Sequence, residues 1–206
     1  INKEEIEILI VRSATTARKE LIDSCAGLKL IGRGGVGMDN IDVEYALSKG
    51  IHVINTPGSS SQSVAELVMG HMFATARFLN ESYKNMENGD FNSLKKAYAK
   101  GMELRGKTLG IVGFGRIGQS LASYALGIGM KVIAVDNSEY TVSVPITIGE
   151  DLEFEVSITT VTDLKATIGS CDFISLHVPK QKDGSAVIGK EEFNLMKPTV
   201  RLINAA

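Results

Sequence analysis

Six residues, Gly113-Phe114-Gly115-Arg116-Ile117-Gly118, restrict the fold more than any other stretch of this chain. A strand-like run, Thr108-Leu109-Gly110-Ile111-Val112, precedes them, and an apolar-periodic helix is predicted from Gln119 to Ile128. A second β-rich run, Lys131 to Val135, then ends on Asp136. Strand, glycine turn, helix, strand and terminal acid together make a dinucleotide-binding unit. Gly113 permits the tight turn, Gly115 leaves room for a pyrophosphate, and Gly118 lets the helix lie close to the strand. The free N–H groups and positive dipole end at the helix start would then meet phosphates. Asp136 follows Gly118 by 18 residues, near the ~20 at which an acid meets the ribose 2′-hydroxyl. A carboxylate accepts hydrogen bonds from ribose hydroxyls but repels a 2′-phosphate, and Asn137-Ser138-Glu139 bring no cation to receive one. The expected cofactor is therefore NAD rather than NADP.

Composition removes several other function classes. A net charge of −2 and the absence of tryptophan argue against nucleic acid or an anionic membrane as a partner. No uncharged run approaches the ~20 residues needed to span a bilayer. Residues Ile1 to Glu5 lack a signal-peptide pattern, so a cytoplasmic location is expected. Cys25 and Cys171 fit no metal-ligand spacing; no metal is expected, and reduced thiols are favoured over a disulfide.

Strand-like runs at 6–11, 28–31 and 51–55 alternate with helical segments at 17–25 and 43–48, the pattern of a parallel sheet with crossover helices. An apolar stripe (Val64, Leu67, Val68, Met72, Phe73, Ala76, Leu79) then predicts one long helix from Ser63 to Met86, which suits a bridge between two lobes. The expected organisation is a first lobe at 1–62, a bridging helix at 63–88 and a nucleotide domain at 89–206. Within the last, Thr141 to Ile148 and Phe154 to Thr159 alternate around Gly149-Glu150-Asp151 and read as a β-hairpin, a surface excursion where a short connection would suffice. A helix near 162–168 and strands at 172–178 and 200–203 follow. Only four strands can be placed after Leu104, where a dinucleotide fold has six, so the chain is expected to be part of a longer protein.

A second glycine run, Gly32-Arg33-Gly34-Gly35-Val36-Gly37, satisfies the same pattern. Met38 to Asp42 delay its helix by about one turn, however, and Asn55, 18 residues past Gly37, lacks a charge for the ribose. Its backbone N–H groups suit a carboxylate or phosphate, so the loop reads as a substrate-anion loop or as a plain turn. Arg33 could reach an anion or remain solvated.

Taken together, several segments resemble the D-isomer-specific 2-hydroxyacid dehydrogenases. They are Val11 to Thr15, Gly32 to Asp42, Asn55-Thr56-Pro57, Ser63 to Leu67, Leu104 to Gly110 with the glycine turn, His177-Val178-Pro179, Leu195-Met196-Lys197 and Ile203 to Ala206. The hairpin region is the least typical part. The resemblance implies an α/β architecture of two Rossmann-like lobes with parallel sheets, a flavodoxin-like substrate lobe and an NAD-binding lobe, joined by the long helix and facing each other across a cleft. It further implies, as in the members acting on phosphoglycerate, NAD-dependent oxidation of the C2 hydroxyl of 3-phosphoglycerate at the head of serine biosynthesis. The implied partners are a small phosphorylated hydroxyacid and a second copy in a homodimer or higher oligomer.

By position, the resemblance assigns Arg12 and Ser13 to the substrate and the Gly34, Gly35, Val36 and Gly37 backbone to its carboxylate. It assigns Arg116 and Ile117 to the pyrophosphate turn, His177, Val178 and Pro179 to the nicotinamide-side loop, and Ala205 and Ala206 to the nicotinamide. The family's arginine, glutamate and histidine that grip the substrate and move the proton would lie beyond Ala206. No catalytic residue is therefore expected in these 206 residues, which alone are expected to be inactive even if they bind NAD. His177 is then a shaper of the cofactor loop, and His52 and His71 are structural. Lys95 and Lys96 read as solvated surface or as a basic segment reaching a partner's substrate phosphate. Two other functions stay open: a different D-2-hydroxyacid (glycerate, glyoxylate or lactate), and a non-enzymatic NAD-sensing module like the family's corepressors.

Overall fold

The computed structural model describes residues 5–87, 89–181 and 183–205, in two compact units, Ile1–Ser61 and Gln62–Ala206. In the first unit the alternating apolar runs become β1 (Ile8–Val11), α1 (Lys19–Ser24), β2 (Leu30–Arg33), α2 (Val43–Ser48) and β3 (His52–Asn55). The strands are all parallel, in the order β1-β2-β3. Two successive right-handed crossovers in the same direction place both helices on one face of the sheet. Val11, Ile22, Leu28, Ile31, Ala46 and Ile51 fill that side. Asp42 caps α2 by accepting from the Tyr45 N–H at 3.2 Å, and Gly50 ends it at φ 77°.

From Gln62 onward, α3 (Ser61–Arg77) belongs to the second unit. Val68, Met72 and Ala76 of this helix are fully buried in the unit's main core with Leu109, Ile111, Phe114 and Leu121. Burial of a valine or methionine side chain is worth about 1.5–3 kcal/mol, which anchors the helix without help from propensity. The single helix expected over 63–86 is corrected here: it breaks at Phe78, which adopts φ 55° and ψ 37°, before α4 (Leu79–Asn85) begins. Tertiary bonding is the cause. The Ala76 carbonyl, which would continue the helix ladder, accepts instead from the Met102 N–H at 3.0 Å. The turn also brings the Phe78 ring to the Tyr98 ring of α5 (Phe91–Tyr98), with centroids 6.3 Å apart.

The remaining elements are β4 (Thr108–Val112), α6 (Arg116–Gly127), β5 (Lys131–Val135), β6 (Thr141–Ile148), β7 (Leu152–Thr159), α7 (Leu164–Ile168), β8 (Phe173–Leu176), α8 (Lys190–Leu195) and β9 (Arg201–Asn204). The main sheet is parallel, in the order β5-β4-β8-β9. Beyond β5 the next strand position is held by a single parallel bridge, Val135 to Val161. Between β5 and that bridge the chain forms the antiparallel β6–β7 pair, a separate two-stranded sheet. It is less of a surface excursion than its sequence suggests. Val144 is fully buried and Ile158 nearly so, both in the core under α6, and the Ser123 hydroxyl of α6 donates to the Pro145 carbonyl at 2.5 Å. In the outer half the large apolar side chains Ile148, Leu152 and Phe154 are exposed.

α6 starts at Arg116, three residues earlier than its apolar period indicates, with Gly115 as N-cap. Its first turn crosses β4 so closely that a Cβ on Gly118 would stand 2.4 Å from the Gly113 carbonyl oxygen. Gly118→Ala must therefore push the helix off the turn. A stability loss of about 1–3 kcal/mol, the usual cost of overpacking, is expected from the urea unfolding midpoint. An unchanged midpoint would refute this account of the helix–strand contact.

Candidate functional site

β4 and β8 are neighbours whose connections leave in opposite directions, so the crevice beyond their carboxyl ends is a topological switch point, where such sheets take ligands. A cleft of about 970 Å³ opens there, lined among others by Gly113, Asp136, Asn137, Thr162, Val178 and Pro179. Gly113 turns at φ 92°, and a Cβ there would meet the His177 carbonyl oxygen at 2.7 Å. The glycine turn is thus pressed directly against the segment after β8. The Gly113 N–H donates to the Val135 carbonyl at 2.9 Å, which ties the turn to β5 as well.

Gly115 has a different reason to be glycine. Its φ of −73° suits any residue, and a Cβ there would meet nothing within 4 Å. Nothing among the described residues excludes a side chain at this position, whereas the approach of a bulky phosphate would. The first turn of α6, with Gly115 and Arg116 exposed, presents N–H groups that have no acceptor within the helix. A dinucleotide pyrophosphate fits this cradle.

Asp136 stands at the end of β5 with both oxygens engaged. Oδ2 accepts from the Phe114 N–H at 2.9 Å and from the Tyr140 hydroxyl at 2.8 Å, and Oδ1 accepts from the Asn137 N–H at 2.8 Å. Burial alone would raise this carboxyl, but the bonds from Asn137, Phe114 and Tyr140 outweigh it and hold the group below the usual aspartate value. Asp136 is therefore ionised at neutral pH. Tyr140 is affected in the opposite sense: burial first, then the bond to the carboxylate, push its phenol up to about 12.

Of the expected nicotinamide-side residues, Val178 and Pro179 line both this cleft and an adjoining one of about 420 Å³ that reaches Leu202 and Asn204. Ala205 follows β9 at the same sheet edge and is half-buried against the core, while Ala206 lies outside the described residues. The His177 N–H donates to the Val112 carbonyl at 2.7 Å, its Nε2 lies 2.9 Å from the Ser175 hydroxyl, and its Nδ1 is buried without a hydrogen-bond partner. Burial lowers its pKa from 6.5 to about 4. His177 is a neutral imidazole at physiological pH, which suits a structural role and not proton exchange.

In the first unit the expected substrate residues meet at the carboxyl ends of β1 and β2. The Arg12 stem runs 3.7 Å from where a Gly34 Cβ would be, and Ser13 accepts a bond from Arg33 Nη2 at 3.2 Å. Arg33 turns inward: Nε donates to the Gly37 carbonyl and Nη1 to the Gly34 carbonyl, both at 3.0 Å, so it braces the loop. Asn40 ties the loop to the Arg12 and Thr15 carbonyls, and the Asn55 amide donates to the Val36 carbonyl at 2.8 Å. Gly34 N–H already donates to the Val11 carbonyl, and Gly35 N–H to the Arg33 carbonyl and the Thr56 hydroxyl. Of the four loop amides, those of Val36 and Gly37 are the ones left for an anion among the described residues. The Arg12 guanidinium is likewise exposed and without a bonded partner there.

Tyr140 and the bracing role of Arg33 were not legible in the sequence. Tyr140 follows Asp136 in a polar loop with no periodicity to mark it, and its partner is chosen by the hairpin. Among the described residues, no group of three or more His, Cys, Asp or Glu is placed to hold a metal.

The depressed His177 pKa makes stability depend on pH with a definite sign. The unfolded chain binds a proton below 6.5 that the folded chain refuses until about 4, so stability present above 6.5 is lost as pH falls through that window. Asp136 and Asp172, whose carboxyls are lowered from 3.8, act below it. His177→Asn is expected to lose less of its thermal midpoint between pH 7 and 5 than the wild type does. Equal losses would refute the assignment.

Known proteins resemble this chain over nearly its whole length. The model of the D-isomer specific 2-hydroxyacid dehydrogenase NAD binding domain matches residues 69–206, and that of the family's catalytic domain matches residues 2–135. A hydroxypyruvate reductase of Thermotoga maritima is 43% identical over 98% of this chain and 61% of its own length. A D-3-phosphoglycerate dehydrogenase of Methanocaldococcus jannaschii is 40% identical over 98% of this chain and 36% of its own. The crystal structure of an Aquifex aeolicus D-lactate dehydrogenase complexed with NAD and lactic acid superposes with a TM-score of 0.70 at 30% identity, covering 100% of this chain and 59% of that one. The chain thus spans about three fifths or less of each of these relatives. It belongs to the D-isomer specific 2-hydroxyacid dehydrogenase family, and its residues 69–206 match that family's NAD binding domain.

Proposed function

We propose that the protein carrying this chain oxidises D-3-phosphoglycerate to 3-phosphohydroxypyruvate with NAD, as a cytoplasmic homodimer serving serine biosynthesis. The observation that carries the cofactor half is the ionised Asp136 carboxylate in the switch-point cleft, with no cation at 137–139. Bound NAD would supply the hydride acceptor. On this reading the Gly115–Gly118 turn binds the pyrophosphate, and Asp136 orients the adenosine ribose. Val178, Pro179 and Ala205 line the nicotinamide side, against the neutral His177. The Val36 and Gly37 amides hold the substrate carboxylate, while Arg12 and Ser13 meet its other end. Proton transfer is assigned to none of this chain's residues.

A phosphorylated substrate carries a second anionic group besides its carboxylate, and the Arg12 guanidinium, without a bonded partner among the described residues, is a cation suited to it. Hydroxypyruvate or glycerate is the second reading, favoured by the reductase relative at 43% identity. Calorimetry with Arg12→Ala separates them. A loss of about tenfold or more in 3-phosphoglycerate affinity, a charge-assisted bond's worth, is expected with little change for D-glycerate. Equal changes would remove the phosphorylated substrate from the proposal.

The cofactor assignment has its own test. Asp136→Ala should weaken NAD binding and raise the relative affinity for NADP; a constant ratio of the two dissociation constants would show that Asp136 does not read the ribose.

A further inference from the structure

The Asp136 carboxylate has a partner that the cofactor reading does not use. Tyr140 donates to Oδ2 at 2.8 Å, with the Phe114 carbonyl at 3.2 Å as the nearest alternative acceptor for its proton. Its own backbone is clamped by Thr160, which is fully buried. The Tyr140 N–H donates to Thr160 Oγ1 at 2.9 Å, the Thr160 N–H donates to the Tyr140 carbonyl at 2.9 Å, and the Thr160 hydroxyl donates to the Ser138 carbonyl at 2.8 Å. These bonds close the base of the β6–β7 hairpin, immediately outside the Thr141–Thr159 pair. The hairpin thus fixes where the phenol stands.

A carboxylate offers about four acceptor positions, two on each oxygen. At Oδ2 both are filled, by Phe114 and Tyr140; at Oδ1 one is filled, by Asn137. One acceptor position remains. Asp136 and Asn137 line the 970 Å³ cleft, whereas Tyr140 is not among the lining residues.

We propose that Tyr140 is a positioning residue for cofactor selection: held by the hairpin base, it locks the Asp136 carboxylate so that one oxygen faces the ribose and its full charge faces any 2′-phosphate. The inference rests on the assignment of Asp136 to the ribose and deepens it. An aspartate χ2 is broad and roughly two-fold. A carboxylate tethered only through Oδ1 and one bond to Oδ2 could turn away from a phosphate and admit it. With the phenol bond in place that rotation breaks a charge-assisted hydrogen bond. The hairpin, which adds nothing to the cleft lining itself, acquires a function as the support of this phenol.

The test is Tyr140→Phe, with NAD and NADP dissociation constants measured by calorimetry on the full chain. NAD affinity is expected to fall about three- to tenfold, the range of one hydrogen bond, while NADP affinity stays level or rises, so that the preference for NAD narrows. A purely structural role would weaken both cofactors equally, and an unchanged ratio overturns the proposal. Asp136→Ala is run beside it. If that variant also leaves the ratio unchanged, the ribose assignment is at fault; if it collapses the ratio and Tyr140→Phe does not, only the role of Tyr140 falls. A carbon-13 titration of the Asp136 carboxyl should show a higher midpoint in Tyr140→Phe than in wild type, and an identical midpoint counts against the bond. Should Tyr140→Phe not fold, Thr160→Val loosens the clamp and keeps the phenol. It should narrow the preference in the same direction, and no change in the ratio would refute the idea.

Discussion

One hydrogen bond, from the Phe114 N–H to the Asp136 carboxylate, holds the second unit's ligand edge in shape. The donor comes from the turn after β4 and the acceptor from the end of β5. The bond makes the glycine loop and the acid one rigid object and not two neighbouring loops. Gly113 contributes the other half, since its missing Cβ lets the turn rest on the His177 carbonyl and extends the same object to β8. Three strand ends are thereby registered against each other before any ligand arrives. Preorganisation of this kind keeps the ordering cost out of the binding step.

The same accounting of donors explains the loop in the first unit. Four consecutive backbone amides look interchangeable as an anion cradle, but two of them are consumed in folding the loop itself, on the Val11 and Arg33 carbonyls. Arg33, the cation in best position to join an anion site, is consumed too, on the Gly34 and Gly37 carbonyls. What remains is a narrower feature, the amides of Val36 and Gly37 beside the Arg12 side chain. A buried backbone polar group must find a partner, and the loop satisfies its own before offering any to a ligand.

Local patterns carried most of the fold. The Gly113–Gly118 turn and the alternating hairpin strands each depend on neighbours within a few residues, and each is legible in the amino-acid order. What the pattern misses is set by distant contacts. The helix over 63–86 keeps its apolar stripe through Phe78, yet the chain breaks there because Met102, far along the sequence, takes the Ala76 carbonyl. The hairpin reads as a surface excursion because alternation marks which residues share a face and not what the face meets. Val144 meets α6. Tyr140 is invisible for the same reason: its significance lies in a hydrogen bond that exists only once Thr160 has closed the hairpin base.

The single bridge at Val161 has a consequence for solubility. A parallel sheet that ends on a full strand leaves a row of unpaired N–H and C=O groups, a template on which a second chain can add. Here the chain leaves β5 for a separate ribbon and meets the row beside β5 only on its return, at Val161. That ribbon carries its own deterrents. Pro145 removes a donor from β6, and Glu150, Asp151, Glu153 and Glu155 are all exposed around the turn and along β7, so an incoming strand meets four carboxylates. With its carboxylates, the hairpin next to this border in the chain repels where an open strand would stick.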